Sequence, residues 1–171
     1  MIWRVFRKST PGSSVDAAWW QAACAAEPSP SPAAIAALRE RLAPAASAPD
    51  EAERQIEMLD GVEQVAAIAG AAPAAIETQH RAIGADTCHL VVPATYVGLT
   101  DEPGKLFVTS KRVIHLGGTM RAWSWHRIGG VDRTERALEI TTLGAPDTVN
   151  LMCNTYGDAM AAAHLCRRLQ P

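Results

Sequence analysis

What this sequence lacks narrows its chemistry before any motif is read. Its four cysteines, Cys24, Cys88, Cys153 and Cys166, include no C-x-x-C pair. A secreted disulfide framework and a paired-cysteine zinc site are therefore not expected, and a reducing, cytoplasmic setting fits better. No stretch of about 18 uninterrupted apolar residues occurs, the length that a membrane-spanning helix needs. The Ala-rich run from Ala66 to Ala75 is broken by Gly70 and Pro73. There is no G-x-S-x-G, no P-loop and no G-x-G-x-x-G, so nucleophile-elbow, phosphate-loop and dinucleotide chemistry have no local signature. The formal net charge of -2 gives no general pull toward nucleic acid, and no nucleic-acid partner is expected.

What is present suffices for a core. The chain has 171 residues, 48% hydrophobic and 20% charged, which suits one ordinary domain or a small domain with a helical extension. Its charges are unevenly placed. Residues 1–84 carry 7 basic and 10 acidic side chains, whereas residues 105–136 carry 7 basic and 2 acidic ones. A local basic strip thus sits in an otherwise acidic molecule.

The first half reads as Ala-rich helices joined by proline-rich connectors. Met1–Lys8 is basic and aromatic, but no apolar signal core follows it. It suits either packing onto the helices or a lipid interface, with Trp3 and Phe6 inserted. A helix is predicted from near Ser13, with Asp16 at the capping-box position, through Trp19-Trp20 to about Ala26. Ser31 then serves as N-cap and Pro32 as first residue of a second helix striped by Ile35, Leu38 and Leu42. After a Pro44–Pro49 loop, Asp50 with Glu53 opens a third helix, whose stripe is Ile56, Leu59, Val62, Val65 and Ile68. Gly70 stops it. A fourth, short helix is predicted from Pro73 through Ile76 and His80 to Gly84. The helical region is accordingly 1–84, about four helices, with a second domain over 85–171.

From Thr87 onward the period changes to two. Leu106 and Val108 point to one face of a strand, and Lys105, Phe107 and Thr109 to the other. Ser110-Lys111 separates that strand from Arg112–Leu116, a hairpin spacing without Asn-Gly turn chemistry. Gly117-Gly118, Gly129-Gly130, Arg136 and Gly144-Ala145-Pro146 mark further reversals. Met120–Trp125, Leu138 with Ile140, and Val149, Leu151 and Cys153 continue the strand pattern. Thr155 is the predicted N-cap of a closing helix, with Asp158 three residues on. Tyr156, Met160, Ala163, Cys166 and Leu169 fall near one of its faces, and Arg167 and Arg168 near its end.

The order G-K-L-F-V-T-S-K-R-V-I (Gly104 to Ile114), W-x-x-I (Trp125 to Ile128), L-x-I (Leu138 to Ile140) and a closing Ala-rich helix resembles the pleckstrin-homology (PH) superfold. More narrowly it resembles GRAM-like and small bacterial PH-like domains, over roughly residues 87–170. No family pattern fits residues 1–84. The resemblance implies an α+β chain: a helical region, then a β-barrel of about seven antiparallel strands capped by a C-terminal helix. His115 departs from it, because such domains carry an aromatic or aliphatic core residue there. The resemblance also implies a binding module, since such domains often bind phosphoinositides through basic residues near the first hairpin.

Three functions follow as expectations. The first is a non-enzymatic cytoplasmic binding module engaging a protein partner or an anionic lipid surface, peripheral to the membrane in the lipid case. Its candidate ligand-binding residues are Lys105, Lys111, Arg112, Arg121 and Arg127, near Trp123 and Trp125, because guanidinium and ammonium groups match phosphate. The bland alternative is a solvated strand face with Arg112 bracing the sheet. The second is a scaffolding protein acting through its helices, with Trp19 and Trp20 as partner contacts, or else with one Trp covering the seam to the barrel. The third is an undetected enzyme using His115, His126 or Cys153, out of a wider set of thiols and imidazoles that includes Cys88-His89, His164 and Cys166. No thiol or imidazole spacing among these fits zinc, and neither metal nor cofactor is expected.

Overall fold

The computed structural model describes residues 14–42, 48–78, 80–144 and 148–171. The basic, aromatic Met1–Lys8, the Ser13 cap with the Asp16 side chain, most of the Pro44–Pro49 loop and the Ala145-Pro146 reversal lie outside the described residues. The architecture is α+β and PH-like, in the order α1 (Ser14–Ala26), α2 (Pro32–Glu40), α3 (Pro49–Ala69), β1 (Cys88–Val97), β2 (Glu102–Thr109), β3 (Arg112–Leu116), β4 (Met120–Ser124), β5 (Ile128–Thr134), β6 (Ala137–Thr142), β7 (Thr148–Cys153) and α4 (Tyr156–Leu169).

All strand pairs are antiparallel, in the spatial order β4-β3-β2-β1-β7-β6-β5. The expected barrel is therefore not closed by hydrogen bonds, because β4 and β5 are both edges. β1 makes the bend. Its residues 88–96 pair with β2, while Ala94–Val97 also pair with β7. Pro93, which has no N–H to give, stands one residue before that second ladder begins. The open corner between β4 and β5 is turned by a 3-10 helix, Trp125–Arg127, and filled by Trp125, whose Nε1 donates to Thr109 O at 3.1 Å. Gly129-Gly130 makes no reversal there: both lie within β5, beside a register shift. The β2–β3 hairpin replaces Asn-Gly chemistry with Thr109, whose hydroxyl donates to Arg112 O at 2.8 Å and accepts from Arg112 N at 3.1 Å.

α4 begins as predicted, with Thr155 Oγ1 accepting from Asp158 N at 3.0 Å. It is buried on two sides rather than one, because it forms the middle layer of the molecule. Ala159, Ala162, Ala163, Leu165 and Cys166 pack into the sheet's core. Tyr156 and Met160 pack instead with Trp19, Leu38, Met58, Leu59, Val62 and Val65 of α1–α3. Small residues at this crossing let the helices approach: a Cβ on Gly61 of α3 would lie 2.5 Å from Met160 Sδ and 3.1 Å from Gly157 Cα.

α3 departs from expectation at its start and its face. Pro49 is its first residue and Ala48 its cap, so Asp50 lies inside the first turn, where its charge suits the helix dipole. Ile56 is exposed, and Gln55 with Met58 takes the buried face. The fourth helix, from Pro73 to Gly84, does not form. Residues 71–78 run as non-helical chain, and Ile76 N donates to Cys88 O at 2.8 Å in a single bridge. The compensation is burial: the turn that follows, 81–85, drops Ile83 onto Cys88, Phe107 and Ile114. This strap covers the outer face of β1–β3 around Cys88, Phe107 and Ile114, so Phe107 is buried although it points away from the main core.

Candidate functional site

The basic strip does not converge on one pocket. Arg112 Nε donates to Asp86 Oδ2 at 2.8 Å, and its Nη2 lies 3.4 Å from the carbonyl oxygens of Ala82 and Ile83, so it fastens the strap. Lys111 Nζ lies 3.7 Å from the other Asp86 oxygen. Arg121 makes a two-pronged pair with Glu102, at 2.7 and 2.9 Å. Two of the strip's three other arginines reach the helices: Arg133 pairs with Glu27 at the end of α1, and Arg136 lies 3.4 Å from Glu57 of α3. The uneven charge of the sequence thus resolves into ion pairs within the sheet region, at Asp86 and Glu102, and two links to the helices, at Glu27 and Glu57. Lys105 and Arg127 are exposed and have no ion-pair partner among the described residues.

The other candidates are also placed inside the fold. Trp19 is fully buried, and its Nε1 donates to Leu38 O at 2.9 Å. Trp20 is half-buried, donates to Glu51 Oε1 at 2.7 Å and lies against Tyr156, so it covers the seam between α1 and α4. Cys153 and Cys166 share the sheet's core. Burial pushes the Cys153 thiol up to about 12 and raises those of Cys166 and Cys88, which leaves all three protonated and poorly nucleophilic. No cluster of three or more metal-ligating side chains occurs among the described residues.

One end of the sheet is built differently. The β1–β2 loop, the β3–β4 turn and the β6–β7 loop all lie at this end, because β1, β3 and β6 run toward it and β2, β4 and β7 away. On the outer face the register aligns Pro93, Lys105, Leu116 and Met120 across four strands. A second row aligns Pro103, Thr95 and Met152. Val97 and the loop residue Leu99 extend this face toward the rim. Across the rim Leu143 N donates to Arg127 O at 2.8 Å, which joins the backbones of these two exposed residues. Val97, Leu99, Met120, Leu143 and Met152 are all exposed, Leu99 completely. At strand spacing this apolar face is about 20 Å wide.

A clasp holds its base. Glu102 Oε2 also accepts from Thr119 N at 3.2 Å, so the Arg121–Glu102 pair ties the β1–β2 loop to the β3–β4 turn. Arg121 lies over the Tyr96 ring, 4.1 Å from its centroid. Beneath them His115 is fully buried, with Nε2 3.2 Å from Ala94 O and Nδ1 without a partner. The polar residue at this core position therefore belongs to the clasp end of the sheet. Hydrogen bonding from Arg121 holds the Glu102 carboxyl below its ordinary range. A depressed carboxylate stabilises the fold fully above its unfolded value, and the contribution disappears as pH falls through the folded value. Glu102→Gln should accordingly flatten the acid side of the stability–pH curve below the usual glutamate range and leave its neutral limb parallel to that of the native chain. Urea denaturation across that range is the check.

Sequence reading missed the apolar end because its residues are ordinary one at a time. A usable signal did exist: Leu151, Met152 and Cys153 are apolar in both phases of a strand, one more apolar position than a half-buried strand requires.

No protein-family model matches the chain, and no curated protein matches it. Among solved structures it is similar to the C-terminal domain of an unknown protein from Leishmania infantum, at 15% identity and a TM-score of 0.46, covering 53% of this chain and 94% of that one. It is also similar to a chain of the complex of human RhoA with the DH/PH fragment of PDZRHOGEF, at 13% identity and a TM-score of 0.45, covering 89% of this chain and 53% of that one. The linker-DH/PH domains of p115-RhoGEF align at 8% identity and a TM-score of 0.43, over 89% of this chain and 54% of that one. The chain thus spans about half the length of these exchange-factor chains. Likenesses this distant carry no functional argument, and the PH-like description rests on strand order and the closing helix.

Proposed function

We infer that this chain is a non-enzymatic binding module, a PH-like domain of the GRAM-like or small bacterial kind, whose open sheet end docks a protein partner through an apolar face. One observation supports it above the rest. Of seven large apolar side chains exposed among the described residues, four stand at this end, Val97, Leu99, Met120 and Leu143, and Met152 is aligned with Thr95 on the same outer face. Contiguous exposed apolar surface rimmed by polar groups marks interaction sites, and methionine suits adaptable contacts. In this reading the division near Gly84 is one of labour, with residues 1–84 bracing α4 and residues 85–171 making the contact, in a cytoplasmic setting. Lys105 and Arg127 stand at the contact and select an acidic rim on the partner.

An anionic lipid surface is the weaker reading. Five of the seven cations in residues 105–136 already have carboxylate partners, and Asp101 and Glu102 sit beside Leu99. Met120→Glu with Met152→Glu tests the protein reading. Both residues are exposed, so the double variant should keep its thermal midpoint within a few degrees and lose the proteins that the native chain retains after cross-linking. Equal recovery by both forms would count against it. Co-sedimentation with anionic vesicles, sensitive to salt, would favour the lipid reading instead.

A further inference from the structure

Where the end of α1 meets the last turns of α4, Glu27, Pro28, His164, Arg167 and Arg168 line a pocket of about 220 Å³. Its one carboxylate is occupied, because both Glu27 oxygens accept from Arg133. Arg167 gives its Nε to Val131 O at 3.0 Å. Arg168 gives Nη1 to the carbonyls of Ile68 and Ala71, at 2.9 and 2.8 Å. A guanidinium has five N–H donors, so both keep others to offer. His164 Nε2 is shut from water and has no hydrogen-bond partner. Buried polar atoms in native proteins are nearly always bonded, and an exception calls for an explanation such as an absent ion.

We propose that this pocket is an anion site, in which the Arg167 and Arg168 guanidinium groups take a small tetrahedral oxyanion of the sulfate or phosphate type and a turn of the His164 ring brings Nε2 against it. The planar fork of arginine matches such oxygens in pairs, and charge-assisted bonds are the strong ones. The space suffices, since a water occupies about 30 Å³ of liquid volume. The pocket lies between the end of α1 and α4, so an occupant would tie the first helix to the helix that packs on the sheet. It stands apart from the apolar end and does not depend on the reading of that end.

Burial, then the charges of Arg168 and Arg167, hold the His164 imidazole below its ordinary range. The charged groups facing it are Glu27 from α1, Arg167 and Arg168 on its own helix, and Arg133 from β5 through its pair with Glu27. An anion between them offsets the two arginines and lets the ring take up a proton. Sulfate keeps its charge across the histidine range of about pH 5 to 8, so its affinity should fall as pH rises there.

The test is nuclear magnetic resonance of the His164 ring in the full chain, with sulfate titrated against chloride at matched ionic strength. Saturable movement of the ring signals with sulfate, and a raised ring titration midpoint, are expected. Arg167→Gln should weaken binding about tenfold or more, and Arg167→Lys, which keeps the charge without the fork, by less. His164→Gln should remove the pH dependence. Inorganic phosphate and phosphoserine are the two further probes. Response to both identifies a free anion, and response to phosphoserine alone identifies a phosphorylated group on a larger molecule. Ring signals that move no more with sulfate, phosphate or phosphoserine than with chloride would overturn the proposal. So would a folded Arg167→Gln chain that binds as the native one does.

Discussion

Gly104→Ala should destabilise this protein by about 3 kcal/mol or more, the largest single effect expected from so small a change. The reason is space rather than backbone angle. A Cβ at Gly104 would lie 2.2 Å from Leu116 O, 2.7 Å from Leu116 C and 2.8 Å from Gly117 Cα. All three are backbone atoms of β3 and its turn, so no side chain can rotate away, and β2 and β3 would have to separate. Separation would pull on the Lys105–Leu116 pairing, on His115 and on the clasp between Glu102 and Arg121. Gly118→Ala is the matched control. The nearest atom to its added Cβ is 4.0 Å away, and its midpoint should match the native one. Thermal melts decide the matter: for a chain of this length the Gly104 variant should lose roughly 10 °C, and a loss of only a degree or two would refute the close approach of β2 to β3.

The second large effect concerns the link between Arg133 and Glu27. Their side chains are 6% and 10% exposed, and they join β5 to the end of α1 across 106 positions of sequence. Removing one partner strands the other charge out of water. Arg133→Met or Glu27→Leu alone should therefore cost about 3–5 kcal/mol. Making both changes together should recover much of that loss, because a buried ion pair is often replaceable by apolar side chains of similar volume. A double-mutant cycle in urea measures the coupling. Additive single effects would show that the pair does not hold α1 to the sheet.

These two sites also mark where the sequence was legible and where it was not. The strands after Gly104 could be read because a half-buried sheet alternates, and Leu106, Val108, Val113, Leu138, Ile140 and Leu151 do face the main core. Thr155 and Ser31 could be read as caps because the chemistry is local: each accepts from the backbone N–H three residues on. The supposed helix after Pro73 failed because its local signals favoured helix, while tertiary burial of Ile83 over Phe107 and Ile114 favoured a strap. The face of α4 failed because a one-sided stripe assumes one neighbouring layer, and this helix has two. The basic strip was visible as composition, but its function was not. Glu27 and Glu57 answer Arg133 and Arg136 from 106 and 79 residues away, distances over which sequence pattern carries no pairing information. The apolar end was invisible for a related reason, since Met120 and Met152 are brought to one face only through a five-strand register.

We propose that the strand-region cations mostly hold the molecule together and that recognition belongs to the apolar end. Photo-cross-linking groups placed one at a time at Leu99, Met120, Met152, Lys111, Arg127 and Trp20 test this most directly. Partner adducts should form at Leu99, Met120 and Met152 and be absent or weak at Lys111 and Trp20, with Arg127 at the margin. Adducts concentrated at Lys111 or Trp20, with none at the two methionines, would contradict it.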